Sequence, residues 1–234
     1  MFAEPREIVA RRELMQIVIA DILKPDDLAT VHDALGKARF IDGRETAGFA
    51  ARQVKDNRQA DARDKSLDAA RSMVASRIMD NDLFRIAARP KMLSPLLFSR
   101  TESGMQYGVH VDDALMGGMR TDIAFTLFLD APDSYDGGEL VIESATGEDA
   151  IKLPAGSMIV YPATTLHRVA MVTRGQRHVV AGWARSFVRD AAQRELLFDL
   201  DTARRTIFAR DGKTAEFDLI SKSLANLLRM WADD

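Results

Sequence analysis

TDIAFTLFLDAPDSYDGGELVIESATGEDAIKLPAGSMIVYP, residues 121–162, consists of short apolar runs cut by turn residues. The runs TDIAFTLFLD, GELVIES, AIKLP and SMIVYP have strand length and strand residues, and APDSYDGG, ATGED and AG between them are rich in Gly, Pro, Asp and Ser. The pattern extends both ways. LLFSR and YGVHVD precede it, and TLHRVAMV and RHVVAGWARSFV follow it, separated by TRGQ. Eight such runs with no helix between them predict a sandwich, jelly roll or barrel beginning near Leu93.

The flanks have a different period. QIVIADIL (Gln16 to Leu23) reads as a strand, and KPDDLATVHDALGKA after it as a helix starting near Pro25 with Leu28, Val31 and Leu35 on one face. A polar stretch, DGRETAGFAARQVKDNRQADARDK, reads as irregular backbone before LDAARSMVASRIMDNDLFRIAA resumes helical spacing. Beyond Arg189, AAQRELLFDLDTARRTIFA and AEFDLISKSLANLLRMWA form a second helical pair around RDGK. The expected class is α+β: N-terminal helices packed on a central β core, and a C-terminal helical pair. That pair either covers the core or joins two subunits as a homo-oligomer, and its leucines favour packing.

With 32 Lys and Arg against 35 Asp and Glu, the chain has no charge surplus to attract nucleic acid or an anionic membrane. Cysteine is absent, which removes disulfides, thiolate metal ligands and thiol nucleophiles. The start MFAEPREIVARREL lacks the apolar stretch of a signal peptide, and no apolar run is long enough to span a bilayer. A cytoplasmic protein is expected.

There are only four histidines in 234 residues. His110 and Asp112 are two apart on a β run, so their side chains share a face while Val109 and Val111 point away. The plainer account is a hydrogen-bonded pair at a strand end. His167, on a later β run, could join them: two histidines and one carboxylate on one face of an octahedron match non-haem Fe(II) oxygenases, whereas zinc prefers a tetrahedral set. His32 reads as a partly exposed residue of the first helix. An acidic co-substrate would need a cation, and Arg177, ten residues after His167, can grip a carboxylate with two parallel hydrogen bonds. Arg177 and His178 face opposite ways on a strand, and parity alone does not say which is inside.

DGRETAG (Asp42 to Gly48), VKDNRQ (Val54 to Gln59), YGVHVDDA (Tyr107 to Ala114), DSYDGGELVI (Asp133 to Ile142), KLPAGS (Lys152 to Ser157), His167 with its leucine, VTRGQR (Val172 to Arg177) and LLFDLD (Leu196 to Asp201) together resemble the PKHD-type hydroxylases. These belong to the Fe(II)- and 2-oxoglutarate-dependent dioxygenases related to prolyl and lysyl hydroxylases. The resemblance implies a double-stranded β-helix of jelly-roll type and a dioxygenase unit over residues 1–189, its β core at about 93–189, followed by a helical extension over 190–234. It implies that His110, Asp112 and His167 bind Fe(2+), that Arg177 binds 2-oxoglutarate with His178 facing away, and that L-ascorbate keeps the iron ferrous. O2 is then the second co-substrate, and a small molecule or a peptide is hydroxylated.

Two departures stand out. Thr101 occupies a position where such hydroxylases usually carry tyrosine, and Ala184 and Arg185 stand where an aliphatic residue and an amide are more common. Two rivals remain: a cupin-like metal enzyme that makes no use of 2-oxoglutarate, and a non-catalytic iron sensor. Residues Ala114 to Arg120 and Asp42 to Arg63 are the candidate mobile rim of the site.

Overall fold

The computed structural model describes residues 16–144 and 147–233. The start MFAEPREIVARREL and part of the ATGED turn lie outside the described residues. Two antiparallel sheets face each other. The major sheet runs in the order Ile17–Ile19, Met158–Pro162, Ile123–Phe128, Gln176–Ser186, Leu97–Glu102, Arg58–Ala60 and Phe40–Asp42, and Pro90–Leu93 pairs with the far end of Gln176–Ser186. The minor sheet runs Gly147–Ile151, Leu140–Ser144, His167–Val169, Gln106–His110 and Lys55–Asp56.

All eight expected β runs form strands, with local changes. TLHRVAMV splits into His167–Val169 and Val172–Arg174, and the fifth run starts at Gly147, inside the stretch read as a turn. QIVIADIL contributes only Ile17–Ile19 to a sheet. The larger correction concerns the polar stretch after Asp42. Besides short 3-10 turns, it contains the strands Lys55–Asp56 and Arg58–Ala60. Its alternation is carried by polar residues, since Lys55, Asn57, Gln59 and Asp61 are all buried. A search for apolar periodicity does not detect such a strand.

The strand Ile123–Phe128 is buried along its whole length because both faces of the major sheet are covered. Phe125 and Leu127 pack with residues of the N-terminal helices, including Val31, Val74, Ile78 and Phe84. Ala124 and Phe128 meet Leu140 and Ile142 of the minor sheet in a second cluster. The helices are α1 (Pro25–Lys37), α2 (Asp68–Asp80), α3 (Asp82–Ala88), α4 (Ala191–Asp211) and α5 (Ala215–Trp231). Pro25 takes the first position of α1, where its missing N–H costs nothing. The run read as one helix breaks at Asn81, whose side chain accepts from Phe84 N and starts α3.

Asp190 caps α4 by accepting from Gln193 N at 2.8 Å, and Thr214 caps α5 by accepting from Phe217 N at 3.2 Å. The pair is joined to the core by apolar and ionic contacts. Phe198 enters the main core, Leu197 packs with Val188 and Leu224, and buried Asp201 pairs with Arg89 and Arg204. At the end of the pair, Arg120 donates to Asp122, to Asp233 and to the Ser186 carbonyl. Among the described residues, no helix is long and apolar enough to cross a membrane.

Candidate metal and co-substrate site

A cavity of about 510 Å³ opens between the sheets. His110 ends its strand, and His167 is its direct partner on the neighbouring strand of the minor sheet, so the second histidine comes from the next strand and not from across the core. Asp112 lies just beyond the strand end, yet its carboxylate turns to the same side as the two rings while Val109 and Val111 are about half exposed. One donor atom from each of His110, Asp112 and His167 falls within 4.8 Å of the others. Asp112 Oδ1 is 3.9 Å from His167 Nε2.

The backbone sets the ring chemistry. His110 Nδ1 lies 2.9 Å from the Gly108 carbonyl and His167 Nδ1 lies 3.0 Å from that of Thr165. A carbonyl only accepts, so each Nδ1 carries the proton and each Nε2 presents a lone pair, the tautomer a metal ligand needs. Burial, with the nearby His167 adding to it, holds His110 down to about 3, so its ring is neutral at ordinary pH. Burial pushes the Asp112 carboxyl up, and its Oδ2 is buried without a hydrogen-bond partner. The Trp183 indole N–H bears on this carboxylate but does not complete a hydrogen bond. A buried carboxylate short of donors beside two imidazoles whose Nδ1 atoms are tied to backbone carbonyls fits a divalent cation.

The opposite demand is made deeper in the cavity. Arg177 is buried, and its Nε and Nη2 have no hydrogen-bond partner. Burial lowers its basicity, while the Tyr135 and Tyr161 phenols nearby favour its charge. Gly138 makes room for it, since a Cβ there would meet the Arg177 Cδ at 2.9 Å. A desolvated guanidinium with two idle N–H groups fits a bidentate carboxylate. Thr101 is buried directly opposite Arg177 on the adjacent strand. His178 faces the other way and pairs with Asp130 at 3.0 Å. His32 is 41% exposed at its side chain and contacts the Leu129 carbonyl, away from the cavity.

Both rim segments border the cavity. Residues 114–120 form a tight hairpin, Leu115–Met116 with Met119–Arg120, and Gly117 and Gly118 at positive φ make its turn. Lys55, Asn57, Gln59, Tyr107, Tyr161 and Trp183 also line the cavity. Sequence reasoning did not single them out, and the one available signal was the alternation of polar residues from Lys55 to Asp61.

The class that this sandwich and its cavity define is matched independently: residues 96–185 fit the sequence model of the 2OG-Fe(II) oxygenase superfamily. Residues 191–233 fit that of the PKHD-type hydroxylase C-terminal domain. A PKHD-type hydroxylase from Acaryochloris marina is 52% identical over 94% of this chain and all of the relative, and one from Picosynechococcus sp. is 51% identical over 92% and 98%. The fold is shared with a Pseudomonas putida prolyl-4-hydroxylase at 18% identity and a TM-score of 0.52, covering 73% of this chain and 92% of that one. The chain belongs to the PKHD-type hydroxylases, and it is an Fe(II)- and 2-oxoglutarate-dependent hydroxylase with a jelly-roll core.

Proposed function

We propose that His110, Asp112 and His167 hold ferrous iron on one face and that Arg177 pairs with the distal carboxylate of 2-oxoglutarate. The carrying observation is the pairing of opposite unmet demands in one cavity: an under-donated buried carboxylate between two metal-ready imidazoles, and a buried guanidinium with two idle N–H groups. When bound, iron and 2-oxoglutarate supply oxygen activation, in which loss of CO2 and formation of succinate are coupled to hydroxylation of a C–H bond. The chain's own part is positional. The Gly108 and Thr165 carbonyls fix the tautomers, and the Trp183 indole N–H bears on the Asp112 carboxylate. A cupin-like enzyme without 2-oxoglutarate would leave Arg177 buried with no ligand, which argues against that rival.

The remaining parts of the reading extend the family assignment. L-ascorbate serves as the reductant that keeps iron ferrous. The substrate is a small molecule or a peptide, the site of action is the cytoplasm, and the chain divides into a dioxygenase unit through residue 189 and a helical extension from 190. Anaerobic addition of Fe(II) and 2-oxoglutarate gives a weak visible chelate band, and air then gives succinate. His110→Ala abolishes both signals; their survival would refute the ligand assignment.

A further inference from the structure

The polar segment that sequence patterning passed over, which passes from the edge of the minor sheet at Lys55–Asp56 to the major sheet at Arg58–Ala60, lines one side of the cavity. Lys55, Asn57 and Gln59 point inward at successive alternate positions, while Asp56 and Arg58 face out. Asn57 Nδ2 donates to Ser99 Oγ at 2.8 Å, and the Thr46 hydroxyl donates to Gln59 Oε1. Lys55 Nζ donates to Thr46 Oγ1 at 3.1 Å and lies 5.1 Å from the centre of the Tyr107 ring. An ammonium has three N–H groups, so the single donation to Thr46 leaves capacity for a ligand. Lysine at 5% exposure without an ion pair is rare, because burial of an unpaired charge is costly. Among the described residues, no carboxylate forms an ion pair with it. The two that act on it from further away are Asp112, which the proposed function commits to iron, and Asp42.

Lys55 and Arg177 have separate surroundings. Arg177 belongs to the major sheet and is influenced by Tyr135, Tyr161 and Asp130. Lys55 belongs to the edge of the minor sheet, opposite Tyr107 on the strand that ends at His110. The cavity therefore carries two cations at different walls, and one 2-oxoglutarate distal carboxylate accounts for only one of them. We propose that Lys55, on a wall shared with Thr46, Asn57 and Gln59, is a second anion subsite that receives a carboxylate of the substrate to be hydroxylated. This rests on the proposed function, which gives Asp112 to iron and Arg177 to 2-oxoglutarate. Burial holds the Lys55 amine down to about 8, consistent with a group awaiting a counter-charge.

The test uses full-length protein with 13C-labelled lysine and tyrosine, saturated with 2-oxoglutarate and with Zn(II) as a diamagnetic substitute for iron. Acetate is the carboxylate probe and acetamide its neutral counterpart. The lysine signal missing from the Lys55→Gln spectrum shifts saturably with acetate and not with acetamide. The Tyr107 ring signal, one of only three tyrosines, follows the same curve and reports at least tenfold weaker acetate binding in Lys55→Gln. Lys55→Arg supplies the same assignment if Lys55→Gln does not fold. No shift in either condition, an equal shift with acetamide, or an acetate shift seen in a parallel Zn(II)-loaded sample without 2-oxoglutarate but lost in the saturated one overturns the proposal, the last by placing Lys55 in the co-substrate pocket. Propionate run beside N-acetyl-aspartic acid amide distinguishes a free acid from an acidic peptide side chain, and tighter binding of either supports the subsite. A separate anaerobic sample with Fe(II) and 2-oxoglutarate is inspected for the chelate band. If that band is absent, the proposed metal and co-substrate roles fail on their own account; if it is present, a negative acetate result counts against Lys55 alone.

Discussion

Arg177→Met separates binding from stability, because the two effects have opposite signs. Met has a similar length and no charge, so the channel beside Gly138 and the Phe128 ring stays filled. Without ligand, the wild-type protein carries a desolvated guanidinium whose Nε and Nη2 lack partners. An unsatisfied buried donor costs about 1–3 kcal/mol. Removing it should stabilise the ligand-free protein by about that amount, and a chain of this length gains about 2–4 °C in Tm per kcal/mol. With ligand, the balance moves the other way. Wild-type protein at about 100 times Kd of 2-oxoglutarate gains about 2.7 kcal/mol from binding. Arg177→Met forfeits a buried, charge-assisted bidentate contact of about 3–5 kcal/mol, a loss of roughly 100-fold or more in affinity. The assay is thermal unfolding of metal-loaded protein with and without 2-oxoglutarate, beside an anaerobic titration of the chelate band. A variant less stable than wild type without ligand, or one that keeps its 2-oxoglutarate affinity, would refute the account of Arg177 as a cation waiting for a carboxylate.

Trp183→Phe removes the indole N–H that bears on Asp112 and should weaken Fe(II) binding about tenfold in a metal titration, with the fold intact by circular dichroism. Gly138→Ala should weaken 2-oxoglutarate binding without altering a polar group, because the new Cβ meets Arg177 Cδ at a residue with φ of +69°; unchanged affinity in the chelate titration would show that the arginine has room to move. Arg120→Ala leaves the buried Asp122 with the Ser186 N–H but no guanidinium and should cost about 3 kcal/mol in urea unfolding, with faster hydrogen exchange over residues 114–120. If the C-terminal helices join two subunits, Leu219→Lys combined with Met230→Lys, both exposed on α5, lowers the mass in solution; a mass identical to wild type would exclude that surface as the interface.

The β core was legible because its strands obey two simple rules at once. Ile123–Phe128 is buried throughout and apolar at every position but Thr126, since helices cover one face of its sheet and the minor sheet covers the other. The turns around it carry Gly, Pro and Asp where the chain must reverse. The C-terminal helices were legible from their period, and the structure adds the Asp190 and Thr214 caps that start them. What patterning missed, the strands Lys55–Asp56 and Arg58–Ala60, is a segment in which burial and polarity coincide. Hydrophobic periodicity assumes that buried residues are apolar, and a cavity wall violates that assumption by design of its chemistry.

The same reasoning explains why the site was legible in part. His110 and His167 stood out because the chain has only four histidines, and Asp112 and Arg177 gained meaning only from their spacing to them and from the family resemblance; the fold brings all four to one cavity. The spacing of His110 and Asp112 suggested a common strand face, yet Asp112 reaches the site from beyond the strand end, where the chain has left the sheet. Strand parity therefore led to a correct pairing by a path the backbone does not take. Gly117 and Gly118 likewise fall in the stretch read as a mobile rim but form the turn of a hairpin, held at its base by Arg120 through Asp122, Ser186 and Asp233. That base couples the rim to the end of the C-terminal helices: the arginine that anchors the hairpin is held by a carboxylate more than a hundred residues later in the chain. Long-range contacts of this kind leave no local signature, which is why the motif could be read from a few residues and its support could not.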